Sequence, residues 1–185
     1  MSDLFHDQVP DEYILQVARV MEAADWHTYQ VLTKRADRLT ELLDTMLKSI
    51  ASKSHIWWGV SVEDRKYGLP RVELLRKASA AMKFLSVEPL LEYLGTVELE
   101  GIQWVIVGGE SGHGARPIKP EWVTDLRDQC KGAGIPFFFK QWGGVRKKTA
   151  GRLLEGKTYD DHPDVVSNPI PEKKFRLELI KELAA

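Results

Sequence analysis

A chain of 185 residues, 43% hydrophobic and 29% charged, can bury one substantial core and has the composition neither of a disordered segment nor of a membrane protein. Its formal net charge of -1 excludes a global attraction to nucleic acid or to an anionic membrane and leaves only local patches to consider. A single cysteine, Cys130, excludes an intrachain disulfide and any all-cysteine metal site within one chain. The opening residues Met1 to Asp7 have no basic n-region, and no apolar run approaches bilayer-crossing length, so the expectation is a cytoplasmic protein without a membrane partner.

In chain order, one pattern repeats: an apolar run that ends in charged or glycine-rich residues, then a capped or amphipathic segment. Pro10, Asp11 and Glu12 open a helix over about 10–24, with Ile14, Val17, Ala18 and Met21 at helical spacing. Thr28 to Thr33 is a β-branched and aromatic strand that ends in Lys34 and Arg35. Leu39, Leu42, Leu43, Met46, Leu47 and Ile50 form one long helical stripe. A strand over 55–62 then ends in Glu63 and Asp64, a helix over about 69–78 follows, and a strand over 83–87 ends in Glu88 and Pro89. Leu90 to Leu94 reads as a short helical turn.

The stretch from Gln103 to Pro117 constrains the chain most. Trp104 to Val107 is too short and too β-branched for a solitary helix and reads as a strand over 103–108 buried on both faces. Four glycines in seven residues follow, Gly108, Gly109, Gly112 and Gly114, and among them stand Glu110, Ser111, His113 and Arg116. The next helix begins near Pro120, with Cys130 on its buried face and Gly134 at its end. The last strand, 135–139, ends in Lys140, Gln141 and Trp142. From about 145 the pattern gives way to a basic run, Arg146 to Lys148, proline-rich segments and an amphipathic helix over about 171–183. The division expected is a barrel domain over 1–145 and a tail over 146–185.

Buried strands alternating with helices require an α/β fold with a parallel sheet and right-handed crossovers. A partial (β/α) barrel of five parallel strands with outer helices is preferred to a doubly wound sheet, because polar residues furnish every strand end rather than those beside one switch point. The highest burial is expected at Val105, Val107, Phe137 and Phe138. Ligands collect outside the carboxyl ends of such strands, so Lys34, Arg35, Glu63, Glu88, Arg116, Lys140 and Gln141 are the candidate pocket residues. The bland alternative is rim salt bridges. The histidines show no metal-ligand spacing, and no metal site is expected.

Six segments in order, Met-Ser-Asp-Leu-Phe-His, Gln-Val-Leu-Thr-Lys-Arg, Trp-Gly-Val-Ser-Val-Glu-Asp, Phe-Leu-Ser-Val-Glu-Pro-Leu, Trp-Val-Ile-Val-Gly-Gly-Glu-Ser-Gly and Pro-Phe-Phe-Phe-Lys-Gln-Trp-Gly-Gly, resemble successive motifs of one family. It is a bacteriophage-derived family of uncharacterised proteins similar to radical S-adenosylmethionine enzymes. The resemblance implies that longer members carry three N-terminal cysteines for an iron-sulfur cluster and bind S-adenosylmethionine, and that Met1 here corresponds to an internal position. It also implies cofactor contact by Gly108, Gly109, Glu110 and Ser111, against which a structural turn and a substrate contact stay open.

One cysteine cannot supply the three thiolates such a cluster needs, so no cofactor is expected in this chain alone. The expectation is the C-terminal part of a radical-type enzyme without its own cluster, its partner a small molecule or nucleotide. A non-catalytic binding module using the barrel mouth and an inactive fragment are the alternatives. An open sheet edge at the first strand would favour a homo-oligomer.

Overall fold

A computed structural model describes residues 3–145, 150–165 and 168–183. The expected basic run Arg146 to Lys148 lies outside the described residues. The strands β1 (Tyr29–Thr33), β2 (Ile56–Ser61), β3 (Met82–Val87), β4 (Trp104–Gly108) and β5 (Phe137–Gln141) form one sheet in chain order, and every neighbouring pair is parallel. The helices are α1 (Asp11–Ala23), α2 (Ala36–Asp44), α3 (Lys48–Ala51), α4 (Gly68–Lys77), α5 (Pro120–Ala133) and α6 (Lys173–Leu183). None of them is long and apolar enough to cross a membrane.

The two faces of the sheet are unlike. Side chains alternate along a strand, so Val31, Trp58, Val60, Leu85, Val87, Val105, Val107, Phe137 and Phe139 point one way, into the main core with Ile14, Leu39, Leu43, Val72, Leu75, Val123, Leu126 and Cys130 of the helices. The other face carries a separate cluster drawn from strands alone: Trp57, Phe84, Trp104 and Ile106, with Met82 and Phe138 against it. Helix residues thus join the core on one face and leave an aromatic face on the other, hollowed into a groove lined from β1, β3, β4 and β5. Gly59 fits that face to its neighbours, because a Cβ there would strike the ring of Phe84.

Several boundaries differ from the sequence reading. The stripe from Leu39 to Ile50 is broken at Thr45, where the chain leaves helical geometry before the short α3 begins. Leu90 to Leu94 forms no helical turn; the Leu90 and Leu91 N–H groups donate instead to the carbonyls of Gly108 and Glu63. The fifth strand starts two residues later than expected, at Phe137, and includes Lys140 and Gln141. Phe137 is buried as expected and so is Phe139, whereas Phe138, also expected to be buried, is only partly so and lies on the groove face. The periodicity of three identical side chains carries no information about which face the first occupies.

The two edges of the sheet also differ. Beyond β5, residues 150–161 form a strap: the Phe139 N–H donates to the Tyr159 carbonyl, Phe138 and Asp160 form an antiparallel bridge, and Leu154 is buried in the main core. The Trp142 and Trp104 indole N–H groups donate to the carbonyls of Leu153 (2.9 Å) and Asp161 (2.8 Å). The chain then returns to the opposite side, where the Asn168 amide donates to Asp25 and α6 lies beside α1. Among the described residues β1 has β2 as its single strand neighbour.

Replacing Gly59 by alanine places a methyl group inside the Phe84 ring and forces that ring, and its Trp104 neighbour, to move. The expected cost is about 1–3 kcal/mol, typical of overpacking, and urea denaturation of the Gly59→Ala protein measures it.

Candidate functional site

The carboxyl ends of β1 to β5 gather most of the expected residues, by two distinct arrangements. In the first, Lys34 from the end of β1, Glu63 beyond β2, and Glu110 and Arg116 from the loop after β4 line one cleft of about 330 Å³. Asp64, Tyr67, Arg71, Pro89 and Leu91 complete it. Glu63 is 6% exposed and is held between two cations: Lys34 ion-pairs with it, and the Arg71 guanidinium donates to it at 2.7 Å and to the Ser61 carbonyl at 2.9 Å. Burial raises the carboxyl pKa, but the bonds from Lys34 and Arg71 outweigh that and hold it below its ordinary value. Glu63 is a fixed anion.

Glu110 meets Arg116 as a two-pronged pair, with the guanidinium donating to both carboxylate oxygens at 2.8 and 2.7 Å and the Arg116 backbone N–H adding a third bond at 2.9 Å. Those bonds pull the Glu110 pKa down to about 2. The pair stands at the cleft wall with both side chains partly exposed.

The second arrangement faces the concave side. Glu88, directly after β3, lies across β4 to accept from Lys140 Nζ at 3.1 Å, and it can do so because Gly108 has no Cβ to obstruct the carboxylate. A shift in the β4–β5 register between Val107 and Gly108 sets Gly108 opposite Gln141 and leaves Lys140 outside the ladder, free to turn toward Glu88. With Gln30, Leu32, Phe84, Ser86, Trp104, Ile106 and Phe138, this pair lines a groove of about 360 Å³.

Gly109 and Ser111 line neither space. Gly109 sits where a Cβ would collide with the Trp142 carbonyl, and a Cβ on Gly143 would likewise strike the Glu110 carbonyl. The two loops touch through their backbones: the Gly109 N–H donates to Gln141 (2.9 Å) and the Gly144 N–H to Glu110 (2.7 Å). The Gln141 amide donates to Ser111 Oγ at 2.8 Å. Gly109, Ser111 and Gln141 thus join the β4 and β5 loops. Arg35 turns away from both spaces, to Asp3 (2.9 Å) and Asp7 (3.4 Å).

Asp3 was not among the expected site residues, yet it fixes the end of β1. It accepts from Thr33 Oγ1 (2.8 Å), the Phe5 N–H (3.0 Å) and Arg35, while Arg38 binds the carbonyls of His6 and Val9 behind it. Arg71 was missed too, because its partner Glu63 lies on another element. An aspartate two residues before a buried Phe5, whose N–H it accepts, is the local turn signal that marks Asp3. Cys130 is buried in α5 among the core residues, which pushes its thiol up to about 12. Among the described residues no group of three or more His, Cys, Asp or Glu side chains is placed to hold a metal ion.

For Asp3, burial raises the pKa and the bonds from Thr33, Phe5, Lys34 and Arg35 more than offset it, so the folded value lies below the unfolded one. The stabilisation is complete above the unfolded carboxylate pKa of about 3.9 and is lost as pH falls through the folded value. Asp3→Asn is expected to cost about 1–3 kcal/mol in urea denaturation at pH 7 and progressively less below pH 3.9. A pH-independent difference would show that the charge is not what holds this segment.

No curated protein and no solved structure matches the chain. A family model described as "Protein of unknown function (DUF5131)" matches residues 1–163, which includes all five strands, both clefts and the strap. The chain belongs to the DUF5131 family of proteins of unknown function.

Proposed function

We propose that this chain is a ligand-holding protein of the phage-derived, radical S-adenosylmethionine-like type, one that does not build the iron-sulfur cluster from its own residues. The observation that supports the reading is the cleft in which the ends of β1, β2 and β4 present fixed charges of both signs. The Glu110–Arg116 pair offers a carboxylate and a guanidinium side by side. That is the complement of an α-ammonium and α-carboxylate, as at the aminoacyl end of S-adenosylmethionine.

The cluster does not fit these residues. Its ligands would be thiolates, and the one thiol here is enclosed in the core on the buried face of α5 with its pKa raised to about 12. No step is assigned to it. What the residues present can do is orient a ligand: Glu110 stays ionised at any physiological pH, Arg116 is fixed beside it, and Glu63 with Lys34 and Arg71 closes the far wall.

Calorimetric titration with S-adenosylmethionine tests the reading. Saturable binding is expected, weakened about tenfold or more by Glu110→Gln and by Arg116→Met, each of which leaves one charge of the pair uncompensated. Anaerobic reconstitution with iron and sulfide should leave the chain without a stoichiometric cluster. A folded protein with no affinity for S-adenosylmethionine would instead favour a binding module with another ligand.

That β1 pairs with β2 alone among the described residues supports self-association, since an open parallel edge is a template for another chain. A dimer or larger species is expected by light scattering at micromolar concentration. A monodisperse monomer would refute it.

A further inference from the structure

We propose that the concave groove is a second binding site, separate from the Glu110 cleft, for a neutral planar heteroaromatic ring of the nucleobase kind. The groove, about 360 Å³, falls in the lower part of the roughly 300–1,000 Å³ used by small-molecule sites. Its floor is aromatic. Phe84, Trp104 and Phe138 come from three adjacent strands, with Trp104 at 6.0 Å from each of the other two rings.

Two glycines make this surface, and neither stands in a turn. Gly59 yields its side-chain space to the Phe84 ring, and Gly108 yields its own to the Glu88 carboxylate. Glycine inside a strand costs roughly 0.5–1 kcal/mol relative to alanine, and here the close packing of Phe84 at Gly59 and the placement of Glu88 at Gly108 offset it. The outcome is an apolar floor with a polar rim. At the rim, Glu88 accepts and Lys140 donates, 3.1 Å apart, and Ser86 and Gln30 line the space below and beside them.

That rim defines the ligand. A ring whose edge carries an N–H beside a hydrogen-bond acceptor replaces the Lys140–Glu88 contact with two bonds, the N–H to Glu88 and the acceptor to Lys140. Every nucleobase has such an edge together with an apolar face to lay over Leu32 and the exposed part of Phe138, with the buried Phe84 and Trp104 rings (2% and 6% exposed) packed behind them. Lys140 is more than half exposed and can swing, whereas Glu88 is 18% exposed and pinned over Gly108. A phosphate or other free anion is not selected, because the rim pair is already neutral. The ring can arrive as a free nucleoside or as an unstacked base within a single strand, and the chemistry is the same for both.

The test is calorimetric titration of the full chain with the four ribonucleosides and, in parallel, with a short single-stranded oligonucleotide. Saturable binding of at least one nucleoside, or of the oligonucleotide with competition by that nucleoside, supports the site; which of the two binds identifies the source. Ile106→Trp fills the groove and should weaken binding by about tenfold or more, and Lys140→Met, which removes the rim donor at an exposed position, should weaken it several-fold. S-adenosylmethionine carries an adenine of its own, so methionine, which has the aminoacyl end alone, is titrated as well: its binding should survive Ile106→Trp and Lys140→Met, and its absence alongside nucleoside binding would count against the Glu110 cleft and not against the groove. A folded wild-type protein that binds neither probe at about 1 mM overturns the proposal, as does binding that survives both Ile106→Trp and Lys140→Met.

Discussion

Glu88 reaches Lys140 because the strand between them offers no side chain at Gly108. Much of the concave side follows from that gap. A carboxylate that leaves the end of β3 would ordinarily point up into solvent; here it lies down over β4 and closes the top of an aromatic surface. The same device works lower on the sheet, where Gly59 accommodates Phe84 and so brings its ring within reach of Trp104. On the helix side of the sheet α4 and α5 supply the packing atoms. The concave side has strands alone, and its shape is set by side chains lying across missing ones.

Charge is handled in two ways around this sheet. Glu63 is nearly enclosed, and an enclosed carboxylate is tolerable because Arg71 and Lys34 meet it from a helix and from a neighbouring strand. Glu110 is in contact with water and needs no such support, yet it receives three bonds from Arg116. The first arrangement fixes the wall of a cleft, and the second presents both signs of charge at its surface. A cleft lined by Lys34, Arg71 and Arg116 against Glu63, Asp64 and Glu110 exerts little net pull on a simple anion or cation. It discriminates by the separation of charges within the ligand.

The order and type of the strands were legible in the sequence because each buried run is bounded by polar or glycine residues, and parallel strands buried on both faces read as unbroken apolar runs. Which way each strand faces was less legible. Phe137, Phe138 and Phe139 are one residue type, and only pairing with β4 and the strap decides that Phe139 is enclosed and Phe138 lines the groove. The strand-end rule collected Lys34, Glu63, Glu88, Glu110, Arg116 and Lys140, and the structure distributes them over two spaces rather than one. It also collected Arg35, which Asp3 and Asp7 engage instead. Asp3 and Arg71 escaped because each acts on a partner about 30 residues away or on another element, and spacing along the chain holds no trace of such contacts.

The strap over 150–161 and the lone neighbour of β1 make the sheet asymmetric, and the asymmetry bears on how the groove is bounded. On the β5 side, Tyr159 and Asp160 occupy the backbone positions another strand would use, and Arg152 lies 5.0 Å over the Phe138 ring, so the groove is walled there by the chain itself. On the β1 side the wall is Gln30 and Leu32, with Leu32 42% exposed. Anything that lengthens the sheet must therefore add at β1, and in adding there it would cover Leu32 and deepen the groove without touching Glu88 or Lys140. A strand added beside β1 would, in this geometry, extend the sheet and deepen the groove in one step.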